Sequence, residues 1–200
     1  MLDRKNKSFI IVLIGVSGSG KSTLRKYAKE NIDNIKNLIA VTNRIARPNE
    51  QNGVDKFFFS NDEFNKATLN NELCLINKVY NNWYAFRVSD FLTGDTYLAE
   101  LHYDSYDHFV NYHNNTVNIY IRPYNLMFAQ EGIYSRGASK TENDSRINSL
   151  QQEHCALEKL NKQGFFDYTF VNHYNDNSKT EFTELLIDII TKMKNNYDDK

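Results

Sequence analysis

Residues 15–23 read GVSGSGKST, and this stretch decides the fold of the chain. It matches G-x-x-x-x-G-K-[ST], the pattern of a loop that binds the phosphates of a nucleoside triphosphate. The β-branched run FIIVLI at residues 9–14 precedes it and has the composition and length of a buried parallel strand. Residues 22–30 follow without Pro or Gly, which suits a helix. Strand, loop and helix together predict a nucleoside triphosphate site.

The chemistry of phosphate binding explains the residue types in this loop. Gly15, Gly18 and Gly20 let the backbone turn tightly and bring its amides against phosphate oxygens. Lys21 supplies a positive charge for the β- and γ-phosphates, and the Ser22 hydroxyl is placed to ligate Mg²⁺. The predicted phosphate-binding residues are Gly15, Ser17, Gly18, Ser19, Gly20, Lys21, Ser22 and Thr23.

Composition excludes several other classes of protein. The 200 residues fit one compact domain with inserted subdomains, and 24 basic against 25 acidic residues leave a net charge of −1. This charge provides no global attraction to nucleic acid or to an anionic membrane. Two cysteines cannot form a disulfide framework or a four-cysteine zinc site. The apolar run at residues 9–14 is far shorter than the ~20 residues of a membrane-spanning helix. We therefore expect a cytoplasmic monomer or homodimer that binds small molecules.

Alternating strand and helix patterns predict an α/β fold with a parallel sheet flanked by helices. Strands are predicted at residues 8–14, 37–42, 96–101, 116–121 and 167–171, and helices at 21–31, 104–113, 145–162 and 179–195. The core nucleotide-binding domain would comprise residues 1–42, 91–125 and 147–200. An inserted mixed-sheet subdomain for the phosphate acceptor would comprise residues 43–90, and a mobile lid residues 126–146.

A second group of motifs lies beyond the phosphate loop. Arg44 and Arg47 are close enough in sequence to clamp a phosphate, although two solvated surface arginines fit the spacing equally well. The sequence around them, TNRIARPNE at 42–50 followed by NGVDKFFFSNDEF at 52–64, resembles the hallmark loop of the guanylate kinase family of nucleoside monophosphate kinases. The phosphate loop, the SRG at 135–137 and the FDYTFVN at 166–172 also look like segments of that family, in the same order.

The resemblance implies ATP and Mg²⁺ as cofactors and a role for each matched residue. Arg44, Arg47 and Tyr84 would hold the phosphate of a small-molecule acceptor. Lys21, Arg136 and Arg146 would be catalytic, the two arginines closing over the triphosphate and neutralising charge on the transferred group. The remaining matched residue, Asn172, would lie near the adenine.

Several positions depart from the family pattern at the place where guanine is read. Leu75 stands where guanylate kinases carry a glutamate, and Ala40 and Phe86 replace two serines. Lys56 replaces a tyrosine; it would suit an acceptor with more negative charge, or else it points to solvent. Glu72 could supply the missing carboxylate only if the alignment is shifted by three residues.

The acidic pair that assists Mg²⁺ and the acceptor is altered as well. Glu100 and His102 occupy its two positions, with Asp104 as a fallback. Glu100 can do the work of a carboxylate, whereas a histidine is a poor ligand for a hard cation. We assign Glu100 to the acceptor side of the site.

The sequence thus predicts an enzyme that moves the γ-phosphoryl group of ATP to a nucleoside monophosphate, with GMP or dGMP as the leading acceptor. Two alternatives remain open. The acceptor could be another nucleoside monophosphate or a phosphorylated sugar such as ribose 1,5-bisphosphate, to which the departures point. The chain could also be a non-catalytic binding module on the same fold, although such modules typically have degraded phosphate loops.

Overall fold

The computed structural model describes residues 8–79, 81–91, 94–102, 105–106, 109, 115–135, 137 and 139–198. Its strands are β1 (Phe9–Ile14), β2 (Ile35–Asn37), β3 (Val41–Thr42), β4 (Phe57–Phe58), β5 (Leu73–Val79), β6 (Asn82–Arg87), β7 (Thr96–Leu101), β8 (Thr116–Pro123) and β9 (Tyr168–Asn172). Its helices are α1 (Lys21–Asn31), α2 (Asn61–Leu69), α3 (Leu126–Tyr134), α4 (Lys140–Lys162) and α5 (Asp176–Asp198), with a 3₁₀ turn at Val88–Phe91.

Two sheets divide these strands. The first is fully parallel, with the order β2-β7-β1-β8-β9. The second is mixed, with the order β4-β3-β6-β5, in which β3 and β4 are parallel and the other pairs antiparallel. This arrangement confirms the predicted α/β class, with a parallel sheet flanked by helices and a second, mixed sheet.

The central strand β1 is buried on both faces because its side chains are apolar without interruption. Ile10, Val12 and Ile14 belong to one core cluster, which includes residues of α3 and α4. Ile11 and Leu13 belong to the cluster on the other face, which includes residues of α1 and α5. A strand covered in this way is fixed in place, so the loop at its carboxyl end starts from a rigid support.

Two element predictions are wrong. The strand expected at 37–42 is two strands in different sheets, since Ile35–Asn37 pairs with β7 and Val41–Thr42 pairs with β4 and β6. The helix expected at 145–162 begins at Lys140, because the Ser139 hydroxyl caps it by accepting from the Glu142 amide. The helix expected at 104–113 lies largely outside the described residues.

The predicted lid begins with a helix that is anchored in the core. Ala129 and Ile133 of α3 are completely buried. The predicted division of the chain into core, acceptor subdomain and lid stays a prediction. Across the described ranges, no helix combines the length and the apolar character needed to span a membrane.

Candidate functional site

The phosphate loop of residues 15–22 is shaped by glycines that no other residue could replace. Gly18 and Gly20 have φ angles of 80° and 88°, in the left-handed region. A Cβ on Gly18 would lie 1.9 Å from the Ala129 carbonyl oxygen, and one on Gly20 would lie 2.2 Å from the Asn172 side-chain nitrogen. The loop is therefore packed against α3 on one side and the end of β9 on the other.

Two side chains, at the end of β9 and just after it, hold this loop by hydrogen bonds to its backbone. Asn172 is buried, and its Nδ2 donates to the Ser19 carbonyl oxygen at 3.0 Å. The Tyr174 hydroxyl donates to the Gly18 carbonyl oxygen at 3.1 Å. Asn172 thus supports the backbone that would wrap the phosphates; its predicted contact with adenine stays a prediction.

The Lys21 side chain contacts the backbone at the start of the phosphate loop. Its Nζ donates to the carbonyl oxygens of Gly15 and Val16 at 2.7 and 2.9 Å. These contacts hold the ammonium group beside the loop backbone, within reach of phosphate oxygens bound there.

A carboxylate at the end of β7 meets the first turn of α1. The Ser22 hydroxyl donates to Glu100 Oε2 at 3.1 Å, and Arg25 Nε lies 2.7 Å from Glu100 Oε1. Arg25 and Glu100 are both largely buried, with side chains 9% and 17% exposed. The pair joins the phosphate-loop helix to the neighbouring strand of the sheet.

Electrostatics keep this carboxylate ionised. Burial alone would raise the pKa of Glu100, but the charges of Arg25, Lys56 and Lys21 and the hydrogen bond from Ser22 lower it to about 2. The pKa of Lys56 is lowered, because burial and the cations Arg25 and Arg44 outweigh the attraction of Glu100. Glu100 is consequently an anion among cations at every physiological pH.

Arg44 and Arg47, the pair predicted to clamp a phosphate, both contact the carboxylate of Glu50. Arg44 Nη2 donates to both Glu50 carboxylate oxygens at 2.9 Å, and Arg47 donates to the same carboxylate through its backbone and its guanidinium. The Nε atoms of Arg44 and Arg47 are buried, and no described residue accepts a hydrogen bond from them. Unsatisfied charged donors are costly, so two such N–H groups favour an anion between them.

A second carboxylate links this clamp to α4. Glu142 Oε1 accepts from Arg47 Nη2 at 2.5 Å and lies 3.0 Å from Arg146 Nη2. Arg146 Nη1 also donates to the Ser17 hydroxyl in the phosphate loop at 2.9 Å. One chain of contacts therefore joins Arg47, α4 and the phosphate loop.

These groups line a single cavity of ≈ 190 Å³. The predicted site residues that line it come from the phosphate loop, both sheets and α4: Gly15, Ser17, Lys21, Ser22, Arg44, Arg47, Lys56, Tyr84, Glu100 and Arg146. Thr23 is exposed on the first turn of α1. Arg136 and Asp104 lie outside the described residues.

The positions that depart from the guanine-reading pattern separate in space. Ala40, Lys56 and Phe86 line the cavity, as does His102 of the altered acidic pair. Leu75 lies instead beside a neighbouring cavity with Leu101 and Phe109. Glu72 is exposed, and its carboxylate accepts from the Asn70 side chain, so it offers no sign of the three-residue shift.

Five charged residues at the site carry no role in the sequence-based prediction: Arg25, Glu50, Asp55, Glu142 and Glu153. Arg25 could have been noticed in the sequence, because it is a charged residue next to Leu24 on the side of α1 that is buried. Glu153 is buried in α4 and lines the cavity, and burial raises the pKa of its carboxyl against the opposing charge of Lys21. Glu142 gave no local signal, because its partner Arg47 is 95 positions away.

Comparison with known proteins agrees with this geometry. The model of the guanylate kinase family matches residues 7–188. A guanylate kinase of Rickettsia bellii (strain RML369-C) is 31% identical over 188 residues, which is 91% of this chain and 95% of the relative. A guanylate kinase of Thermotoga maritima is 27% identical over 171 residues, covering 83% of this chain and 80% of the relative. The crystal structure of guanylate kinase from Anaplasma phagocytophilum shares the fold, with a TM-score of 0.66 at 22% identity, covering 94% of this chain and 87% of that one.

Proposed function

The chain belongs to the guanylate kinase family, and we propose that it transfers the γ-phosphoryl group of ATP to GMP or dGMP. One observation carries the proposal. Lys21 of the phosphate loop and the Arg44–Arg47 clamp line the same cavity. A phosphate donor and a phosphate-bearing acceptor held at these two places would meet inside it, which is what direct transfer requires.

The donor triphosphate would lie along the phosphate loop. Amides at the start of α1 point toward it, and Lys21 leaves the carbonyls of Gly15 and Val16 to pair with phosphate oxygens. The oxygens of Ser22 and Glu100 suit a hard cation such as Mg²⁺. Ser22 and Glu100 would hold Mg²⁺, which would neutralise part of the charge on the phosphates.

The acceptor phosphate would lie against Arg44 and Arg47, whose unsatisfied Nε donors are completed by its oxygens. Arg146, tied to the phosphate loop through Ser17, is positioned to neutralise charge on the group in transit. The protein forms no covalent intermediate in this scheme; it supplies position, positive charge and exclusion of water. Arg136 is proposed as a second lid arginine on the resemblance alone.

A phosphorylated sugar is the second candidate acceptor, and Lys56 is the observation that favours it. Lys56 lines the cavity with its Nζ 5.9 Å from the centre of the Tyr84 ring, so its side chain faces the cavity. A third cation beside Arg44 and Arg47 would balance a second phosphate group. Ribose 1,5-bisphosphate has such a group and no base to be read.

The experiment is an ADP-release assay with ATP and Mg²⁺ against GMP, dGMP, the other nucleoside monophosphates and ribose 1,5-bisphosphate. The proposal predicts release stimulated chiefly by GMP or dGMP. Lys21→Ala should abolish it with an unchanged circular-dichroism spectrum, and Lys26→Ala, an exposed lysine on the same helix, should not. Stimulation only by the bisphosphate would support the second candidate. ATP binding without any stimulated release would indicate a non-catalytic binding module.

A further inference from the structure

Strand β5 contains an irregularity in its pairing with β6, next to residues that line the cavity. Its pairing with β6 shifts between Cys74 and Asn77, and Leu75 has a φ angle of 56° in the left-handed region. Bulges of this kind re-aim the side chains that follow them and recur beside active sites. Leu75 packs against the main core cluster and lines the neighbouring cavity, and Asn77 lines both that cavity and the one that holds the arginine clamp.

The position of Asn77 relative to the acceptor clamp is fixed by the sheet. Asn77 pairs directly opposite Tyr84 on β6, and Tyr84 pairs opposite Thr42 on β3, two residues before Arg44. The second sheet therefore presents Asn77 on the acceptor side of the cavity, beside the residues expected to hold the acceptor phosphate.

The amide of Asn77 is oriented by a buried hydroxyl. Its Nδ2 donates to Ser105 Oγ, and Ser105 is 9% exposed. No described residue donates a hydrogen bond to Asn77 Oδ1. Ala40, Val79 and Phe86 line the same cavity and provide apolar surface only. An amide with its nitrogen engaged and its oxygen unpartnered presents a hydrogen-bond acceptor to the ligand.

We propose that Asn77 determines acceptor specificity by accepting a hydrogen bond from an N–H group on the base of a nucleoside monophosphate. This inference rests on the proposed function and names the residue that reads the base in it. A hydrogen-bond acceptor beside the apolar side chains of Ala40, Val79 and Phe86 favours bases that can donate to it, because a base without a donor leaves the amide oxygen unpaired. A single neutral oxygen accepts a hydrogen bond from one N–H group. A base with only one suitable N–H can therefore still bind.

The test compares Asn77→Ala with Asn77→Asp in steady-state kinetics, using the nucleoside monophosphate that the wild-type protein phosphorylates best. Asn77→Ala should raise the KM for this acceptor about fivefold, the range of one neutral hydrogen bond. The kcat and the KM for ATP should change less than twofold. Asn77→Asp keeps an acceptor oxygen and nearly the same volume, so its acceptor KM should stay within twofold of wild type. The control is Lys78→Ala, an exposed residue next to Asn77, which should leave every constant unchanged.

Three outcomes would overturn the inference. An unchanged acceptor KM in Asn77→Ala, with an active wild-type protein, overturns it and leaves the kinase function intact. A rise in KM in Asn77→Asp as large as in Asn77→Ala overturns it too, since the side chain would then act as a donor. A wild-type protein that phosphorylates no nucleoside monophosphate overturns the inference together with the proposed function. If Asn77→Ala fails to fold by circular dichroism, Asn77→Asp alone decides.

Discussion

Replacing Glu100 with glutamine removes a negative charge that interacts with the cations Arg25, Lys56 and Lys21. The pKa of Glu100 is about 2 in the folded protein, against an ordinary value of 4.5. A carboxyl with this difference stabilises the fold by about 3 kcal/mol at neutral pH. Its side chain is only 17% exposed and its partner Arg25 only 9%, so solvent screens little of this energy. Glu100→Gln should therefore lower the free energy of unfolding by about 3 kcal/mol at pH 7.

The pH dependence makes this prediction specific. Because folding lowers the pKa of Glu100, its stabilisation is complete above pH 4.5 and is lost as the pH falls toward 2. At pH 3 it amounts to about 1 kcal/mol, so the difference in the free energy of unfolding between the wild-type protein and Glu100→Gln should fall by more than half. Urea unfolding followed by circular dichroism at pH 7 and pH 3 measures both values.

Glu184→Gln, at an exposed position on α5, is the matched control and should change the free energy of unfolding by less than about 0.5 kcal/mol at either pH. A loss in Glu100→Gln that is the same at pH 7 and pH 3 would refute the electrostatic reasoning. A loss no larger than that of the control at pH 7 would refute it as well.

Two further predictions concern the acceptor clamp. Arg44→Ala should lower kcat/KM for the acceptor at least about tenfold, because it removes a charge-assisted contact to the acceptor phosphate. The kcat/KM of Arg44→Lys should lie between those of Arg44→Ala and the wild-type protein. Equal values of kcat/KM for all three proteins in acceptor titrations would contradict the clamp. Glu142→Gln should cost about 1 kcal/mol in urea unfolding, because the carboxylate bridges Arg47 and Arg146. Glu131→Gln, exposed on α3, is its control, and equal stability of the two variants would show that the bridge contributes nothing.

Local signals in the sequence were sufficient for the donor half of the site. The phosphate loop needs a strand, a glycine turn and a helix that are continuous in the chain. Residues 21–31 accordingly form the predicted helix, and Phe9–Ile14 lies within the strand predicted at 8–14. The Arg44–Arg47 pair was predicted from the resemblance to the family, since its spacing fits two surface arginines equally well, and only the structure shows that Glu50 holds it.

Contacts between distant parts of the chain could not be predicted in the same way. The segment at 37–42 is uniformly suited to a strand, and its division between two sheets depends on partner strands elsewhere in the chain. Glu142 lies on a helix whose start was placed five residues late, so its contact with Arg47 was not anticipated. Asn77 faces the cavity because the backbone bulges at Leu75. The residue types around Leu75 do not predict that bulge.

The central claim is that the γ-phosphoryl group passes directly from ATP to a nucleoside monophosphate. The most direct measurement supplies ATP labelled at the γ-phosphate together with GMP and Mg²⁺, and follows the label by chromatography. The account predicts that the label appears in GDP, in step with ADP formation, and that Lys21→Ala forms none. Label found only in inorganic phosphate, or labelled product only when a phosphorylated sugar replaces GMP, would contradict it.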